Sequence, residues 1–138
     1  MIEYQTGKGD DLDLDEVIEV YVESTLGERR PVDDRQRMAG MLREANLVVA
    51  ARDDGRLVGL SRSISDFHYA TYLSDLAVRR LHQKRGIGIE LIRRTQRAAP
   101  QASVILLSAP AAVEYYPRIG FTRHESAWVL RPAESLRE

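Results

Sequence analysis

Gln83, Lys84, Arg85, Gly86, Ile87 and Gly88 are the residues of this chain whose types and spacing best suit chemistry on an anion. The glycines lack a Cβ, so a ligand can approach the main chain closely, and Lys84 and Arg85 add positive charge. Before this turn, the apolar run Tyr69 to Val78 predicts a strand. After it, Ile87, Leu91, Ile92, Thr95 and Ala99 recur at the spacing of one helical face. Strand, basic glycine turn and helix together present unpaired N–H donors at the positive end of a helix dipole. Phosphate is the ligand such a turn suits. A P-loop is excluded, because neither glycine leads into Lys-Ser or Lys-Thr, and a dinucleotide fingerprint is excluded because Leu91 stands where its third glycine belongs. The same residues also fit a tightly packed helix start with solvated basic side chains. For Arg79 and Arg80 a solvated face is the expected setting.

A second pattern lies downstream. Ser108 to Phe121 reads Ser-Ala-Pro-Ala-Ala-Val-Glu-Tyr-Tyr-Pro-Arg-Ile-Gly-Phe. The spacing Gln-x-x-Gly-x-Gly at 83–88, followed by a tyrosine four residues before Gly120-Phe121, resembles the two signatures of the GNAT family of N-acetyltransferases. The resemblance is concentrated between Leu57 and Phe121, and the order of elements fits throughout. It implies an acyl-CoA N-acyltransferase fold with acetyl-CoA as co-substrate. Gln83, Lys84, Arg85, Gly86, Ile87 and Gly88 would cradle the pyrophosphate, and the main chain of Leu76, Ala77 and Val78 would bind the pantetheine amides. Tyr116 matches the family's acid for the departing thiolate, a role that suits a hydroxyl donor on an apolar ring. Two departures stand near the thiol: Ala109 where many relatives have asparagine, and Pro117 directly after the tyrosine.

The base for the incoming amine has no such match. Asp75 is an acid within an apolar strand, which is unusual without a task, but a buried structural hydrogen bond explains it nearly as well. An ordered water is the other choice. Asp66 and His68 read better as loop residues, Glu114 as an exposed helix residue, and Tyr115 as structural, facing away from Tyr116.

The elements that must position these residues follow from pattern. Met1 to Thr6 predicts a strand, Asp13 with Glu16 a capping box, and Leu14, Val17, Ile18 and Tyr21 a helical stripe. Pro31 to Asp34 starts a second helix carrying Met38, Met41, Leu42 and Ala45. Leu47 to Ala51 and Leu57 to Ser65 are strands joined by Asp53-Asp54-Gly55, a hairpin turn. Strand 69–78, helix 87–98 and strand 104–107 make a right-handed βαβ crossover. Helix 110–118 and one or two strands within Phe121 to Leu130 complete the chain. The fold class is therefore α/β, or α+β, with a mixed sheet flanked by helices. The resemblance adds that its central parallel strands splay apart around the pantetheine arm.

Composition narrows the classes. The 138 residues predict a single domain, 1–138, of ordinary hydrophobic and charged content, 43% and 30%. Lys plus Arg number 20 against 21 Asp plus Glu, so no overall field favours nucleic acid or a membrane surface. With no cysteine there is no disulfide, thiol nucleophile or thiolate metal site, and His68, His82 and His124 lack metal-ligand spacing, so no metal is expected. No signal-like segment or membrane-length apolar window is present, and the expected location is cytoplasmic. The resemblance implies a small-molecule or peptide amine as partner, direct attack of that amine on the thioester, and pairing into a homodimer as in many such domains. A non-catalytic acyl-CoA-binding module is the alternative.

Overall fold

The computed structural model describes residues 1–138, which separate into two compact units, 1–107 and 108–138. The first is built on a mixed sheet of β1 (Ile2–Gly7), β2 (Leu47–Asp53), β3 (Arg56–Ser65), β4 (Ala70–Val78) and β5 (Ser103–Ile105), in that spatial order. Neighbours are antiparallel except β4 and β5, which are parallel. Helices α1 (Leu14–Glu23) and α2 (Arg35–Glu44) follow β1, and α3 (Ile87–Ala98) connects β4 to β5.

Local chemistry sets these boundaries. Asp13 caps α1 by accepting the Glu16 N–H at 3.0 Å, and Asp34 caps α2 by accepting that of Arg37 at 3.1 Å. The capping box at α1 is only half formed, because Glu16 reaches instead to the Leu57 N–H (2.9 Å) and to Arg52 (3.3 Å). That contact fastens α1 to β3. Asp54 and Gly55 have φ of +53° and +85°, the left-handed pair required by a two-residue hairpin.

Burial explains the apolar run of β2. Val48 and Ala50 face α1 and α2, packing with Val17, Val20, Tyr21, Met38 and Leu42. Val49 and Ala51 face α3, packing with Val58, Ile87 and Leu91. A strand covered on both sides has no solvent face, so polar alternation disappears. Each fully buried aliphatic side chain of this kind contributes about 1.5–3 kcal/mol.

The second unit departs from expectation. The helix predicted over 110–118 is interrupted, with a 3₁₀ turn at Pro110–Ala112 and a short helix α4 at Tyr115–Arg118. Pro117 has no N–H to give the Val113 carbonyl, so the bond that would join the two is missing. No strand forms within 121–130. There Trp128 is 90% exposed, and β-prone residues without a ladder partner stay irregular. The last strand of the crossover is also displaced, spanning Ser103–Ile105 where 104–107 was predicted. No helix is long and apolar enough to cross a membrane.

Candidate active site

The basic turn brings unpaired main-chain donors and positive side chains together. After β4 come a 3₁₀ turn at Arg80–His82, Lys84 with φ +63° and Gly86 with φ +83°. The first intrahelical bond of α3 runs from the Glu90 N–H to the Gly86 carbonyl at 3.2 Å. The N–H groups of Ile87, Gly88 and Ile89 precede that bond and have no intrahelical acceptor. A Cβ placed on Gly86 or Gly88 would meet no atom within 4 Å beyond its own stretch of backbone, so the surface beside these glycines is open. Gln83 ties the turn to the strand through its Nε2, which donates to the Val78 carbonyl at 2.9 Å. Arg80, Lys84 and Arg85 are exposed around it.

Arg79 corrects the expectation of a solvated side chain. It is only 1% exposed, donating from Nε to the Leu57 carbonyl (2.6 Å) and from Nη1 to Glu19 (2.7 Å) and Glu23 (2.8 Å). Its charge is therefore spent on α1, and the positive field at the turn comes from the other three basic residues.

The strand leading to the turn has an open edge. β5 pairs with β4 only at Ala70–Ser103, Thr71–Val104 and Tyr72–Ile105, while β4 continues to Val78. The Arg79 N–H bonds the Val58 carbonyl at 2.8 Å, so the main chain of Arg79 faces β3. By strand alternation Ala77 also faces β3, whereas the N–H and C=O groups of Leu76 and Val78 point to the open edge. Two of the three predicted pantetheine contacts thus lie where a ligand could reach them.

Asp75 sits at a β-bulge. Arg62 pairs with Asp75 and Ser63 with Leu73, leaving Ser74 as the extra residue of β4. The Asp75 side chain is fully enclosed. Its Oδ1 accepts from Arg30 Nε (2.6 Å) and Ser74 Oγ (3.1 Å), and its Oδ2 from the Tyr21 hydroxyl (2.6 Å) and Arg62 Nε (2.5 Å). Burial alone would push this carboxyl up, but the hydrogen bond and charge of Arg62, with Tyr21 and Arg30, hold it below the ordinary carboxylate range. Burial first, and the neighbouring Asp75 charge second, push the Tyr21 hydroxyl well above its usual value. Four donors on two oxygens leave Asp75 poorly placed to receive a further proton.

The remaining acids are loop and surface groups. Asp66 accepts the N–H groups of His68, Tyr69 and Ala70 at 2.9, 2.8 and 3.1 Å, which brings its carboxyl down to about 2. His68 and Glu114 are exposed.

In the second unit, Tyr116 stacks edge-on against Phe121, with centroids 5.4 Å apart. Gly120 at φ +112° makes this possible. Its N–H bonds the Pro117 carbonyl and that of Phe121 bonds the Tyr116 carbonyl, a Schellman closure of α4. Tyr115, expected to face elsewhere, instead packs its ring edge-on against Tyr116 at 5.4 Å.

Sequence reading did not find Tyr21, Arg30 or Arg62. The one available signal was Arg62 itself, a long cation within the apolar strand Leu57 to Ser65.

A model of the "Acetyltransferase (GNAT) domain" matches residues 19–129. No curated protein matches the chain. Among solved structures, a GNAT family acetyltransferase from Streptococcus pneumoniae TIGR4 is 22% identical with a TM-score of 0.72, covering 95% of this chain and 99% of that one. An aminoglycoside N-acetyltransferase, AAC(6')-Iy in complex with CoA, is 15% identical with a TM-score of 0.71, covering 96% and 95%. An aminoglycoside acetyltransferase from an uncultured soil metagenomic sample, in complex with sisomicin, is 19% identical with a TM-score of 0.66, covering 99% and 97%. The matched model spans most of the chain, including the strand, glycine turn and helix described above, and the chain belongs to the GNAT acetyltransferase family.

Proposed function

We propose that residues 1–138 form one N-acetyltransferase domain that transfers an acetyl group from acetyl-CoA to a primary amine. The observation that carries this reading is the continuity between the open edge of β4 and the donor-lined turn after it. The CoA complex of a structurally similar aminoglycoside N-acetyltransferase supports the choice of ligand.

In this reading Gln83 fixes the turn. Lys84 and Arg85 supply charge, and the main chain at Gly86, Ile87 and Gly88 receives the pyrophosphate. Leu76 offers its main-chain donor and acceptor and Val78 its N–H to the pantetheine amides, the Val78 carbonyl already accepting from Gln83, and Ala77 holds the strand in register from the β3 side. Bound acetyl-CoA supplies an activated acetyl carbon open to attack by a neutral amine. The chain's own contribution is chiefly positioning, which can supply much of an acyl-transfer barrier. Tyr116 gives a proton to the leaving sulfur, a role assigned by its place before Gly120-Phe121. The proton released by the amine passes to water, and Asp75 acts as an organiser of the β4 bulge.

A purified sample incubated with acetyl-CoA and a panel of primary amines tests the proposal by release of free thiol. Amine-dependent release is expected. Binding of CoA by calorimetry without any thiol release would instead identify a non-catalytic acyl-CoA module.

A further inference from the structure

On the side of the sheet that carries α1 and α2, where β4 loses its partner β5, two kinds of surface adjoin. The first is an unbalanced cationic cluster. Arg30 and Arg62 both pair with the one carboxylate of Asp75, and neither forms another ion pair, so one positive charge is left over. Arg62 is almost enclosed, but 21% of the Arg30 side chain remains exposed. Of the five guanidinium N–H groups of Arg30, three are used, on Asp75, the Arg29 carbonyl and the Ser74 carbonyl, which leaves two to offer.

The second surface is apolar. Ile64 faces Tyr72 across β3 and β4, and Tyr72 is the parallel partner of Ile105. Register partners share a face, so these three make one row. They are exposed by 51%, 40% and 52%. Arg62 lies two residues before Ile64 and shares its face, which sets the row roughly 7 Å from the cluster at about 3.3 Å per residue.

We propose that the acceptor is an apolar α-amino acid. Its carboxylate would sit on Arg30, its side chain on Ile64, Tyr72 and Ile105, and its amine at the adjoining edge of β4. The inference rests on the acetyl-transfer reading and adds the substrate class to it. A partly buried guanidinium that must share its one counter-ion with a second arginine favours a further carboxylate, through charge-assisted hydrogen bonds. The tyrosine ring and two isoleucines favour an aromatic or aliphatic body. A polyamine or aminoglycoside would bring several positive charges to a cluster that already carries one in excess, and be repelled.

The test compares phenylalanine and leucine with phenylalaninamide and phenethylamine as acceptors for the unmodified protein, with CoA binding followed by calorimetry. The free acids should be acetylated with kcat/KM roughly tenfold or more above the amide and the amine, the scale of one charge-assisted hydrogen bond. Arg30→Gln should erase that preference through KM, and Arg30→Lys should restore part of it. Equal rates for acid and amide overturn the proposal, whether or not the Arg30 variants fold. Tight CoA binding with no acetylation of the acids also overturns it while leaving acetyl transfer intact. Absence of CoA binding removes the acetyl-transfer reading and this inference with it.

Discussion

Arg62 and Asp75 face each other across β3 and β4, with Nε 2.5 Å from Oδ2, at the point where β4 carries its extra residue. Asp75 thus joins the bulge to α1 through Tyr21, to the segment before α2 through Arg30, and to β3 through Arg62.

Replacing Asp75 by Asn should lower stability by about 3–5 kcal/mol, because it leaves two guanidinium groups facing a neutral amide. The pH dependence has a definite sign. The carboxyl is held below its ordinary value in the fold, so its contribution is complete above the unfolded pKa of about 3.9. It is lost as pH falls from there through the folded value. Urea unfolding at several pH values should show this acid loss in the parent protein and a flatter profile in Asp75→Asn.

Gly86 and Gly88 separate folding from binding. Alanine at Gly86 must adopt φ near +83°, at a cost of about 1–2 kcal/mol, although no atom obstructs it. Alanine at Gly88, inside α3 and facing open space, should be neutral or stabilise by about 0.5–1 kcal/mol. Both should weaken CoA binding in calorimetry, since each adds a methyl group before the main-chain donors. Unchanged CoA affinity in Gly88→Ala would sink the phosphate assignment.

Arg79 and Arg80 are neighbours with opposite expectations. Arg79→Met abandons the Leu57 carbonyl and two glutamates, and should cost about 2–3 kcal/mol in chemical denaturation. Arg80→Ala, at an exposed position, should stay within about 0.5 kcal/mol of the parent.

Tyr116→Phe retains the ring that packs on Phe121 and removes only the hydroxyl. If that hydroxyl protonates the leaving group, kcat should fall roughly a hundredfold. Full activity in this variant would refute the acid role.

Most of the first unit was legible because its signals are local. Asp13 and Asp34 announce helix starts, Asp54-Gly55 announces a hairpin, and helix 87–98 follows from its apolar stripe and the glycine before it. The cluster around Asp75 was not legible, because Tyr21, Arg30 and Arg62 come from three separate elements and meet only once register and bulge are set. Arg79 misled for a related reason. Arg80 beside it is basic and exposed, but the end of the strand turns Arg79 towards Glu19 and Glu23, far back in the chain. Residues 121–130 misled in the other direction, since strand-prone side chains carry no sign of whether a partner strand is there to pair with.

The short clasp between β5 and β4 leaves a signature that needs no ligand to be read. In deuterium-labelling experiments the amides of Leu76 and Val78 should exchange quickly, whereas that of Ala77 between them, bonded toward β3, should be protected. Such a fast–slow–fast rhythm along one strand would map the vacant border of the sheet residue by residue. Its collapse into uniform protection on adding a compound would report that the compound had taken the place of the missing strand.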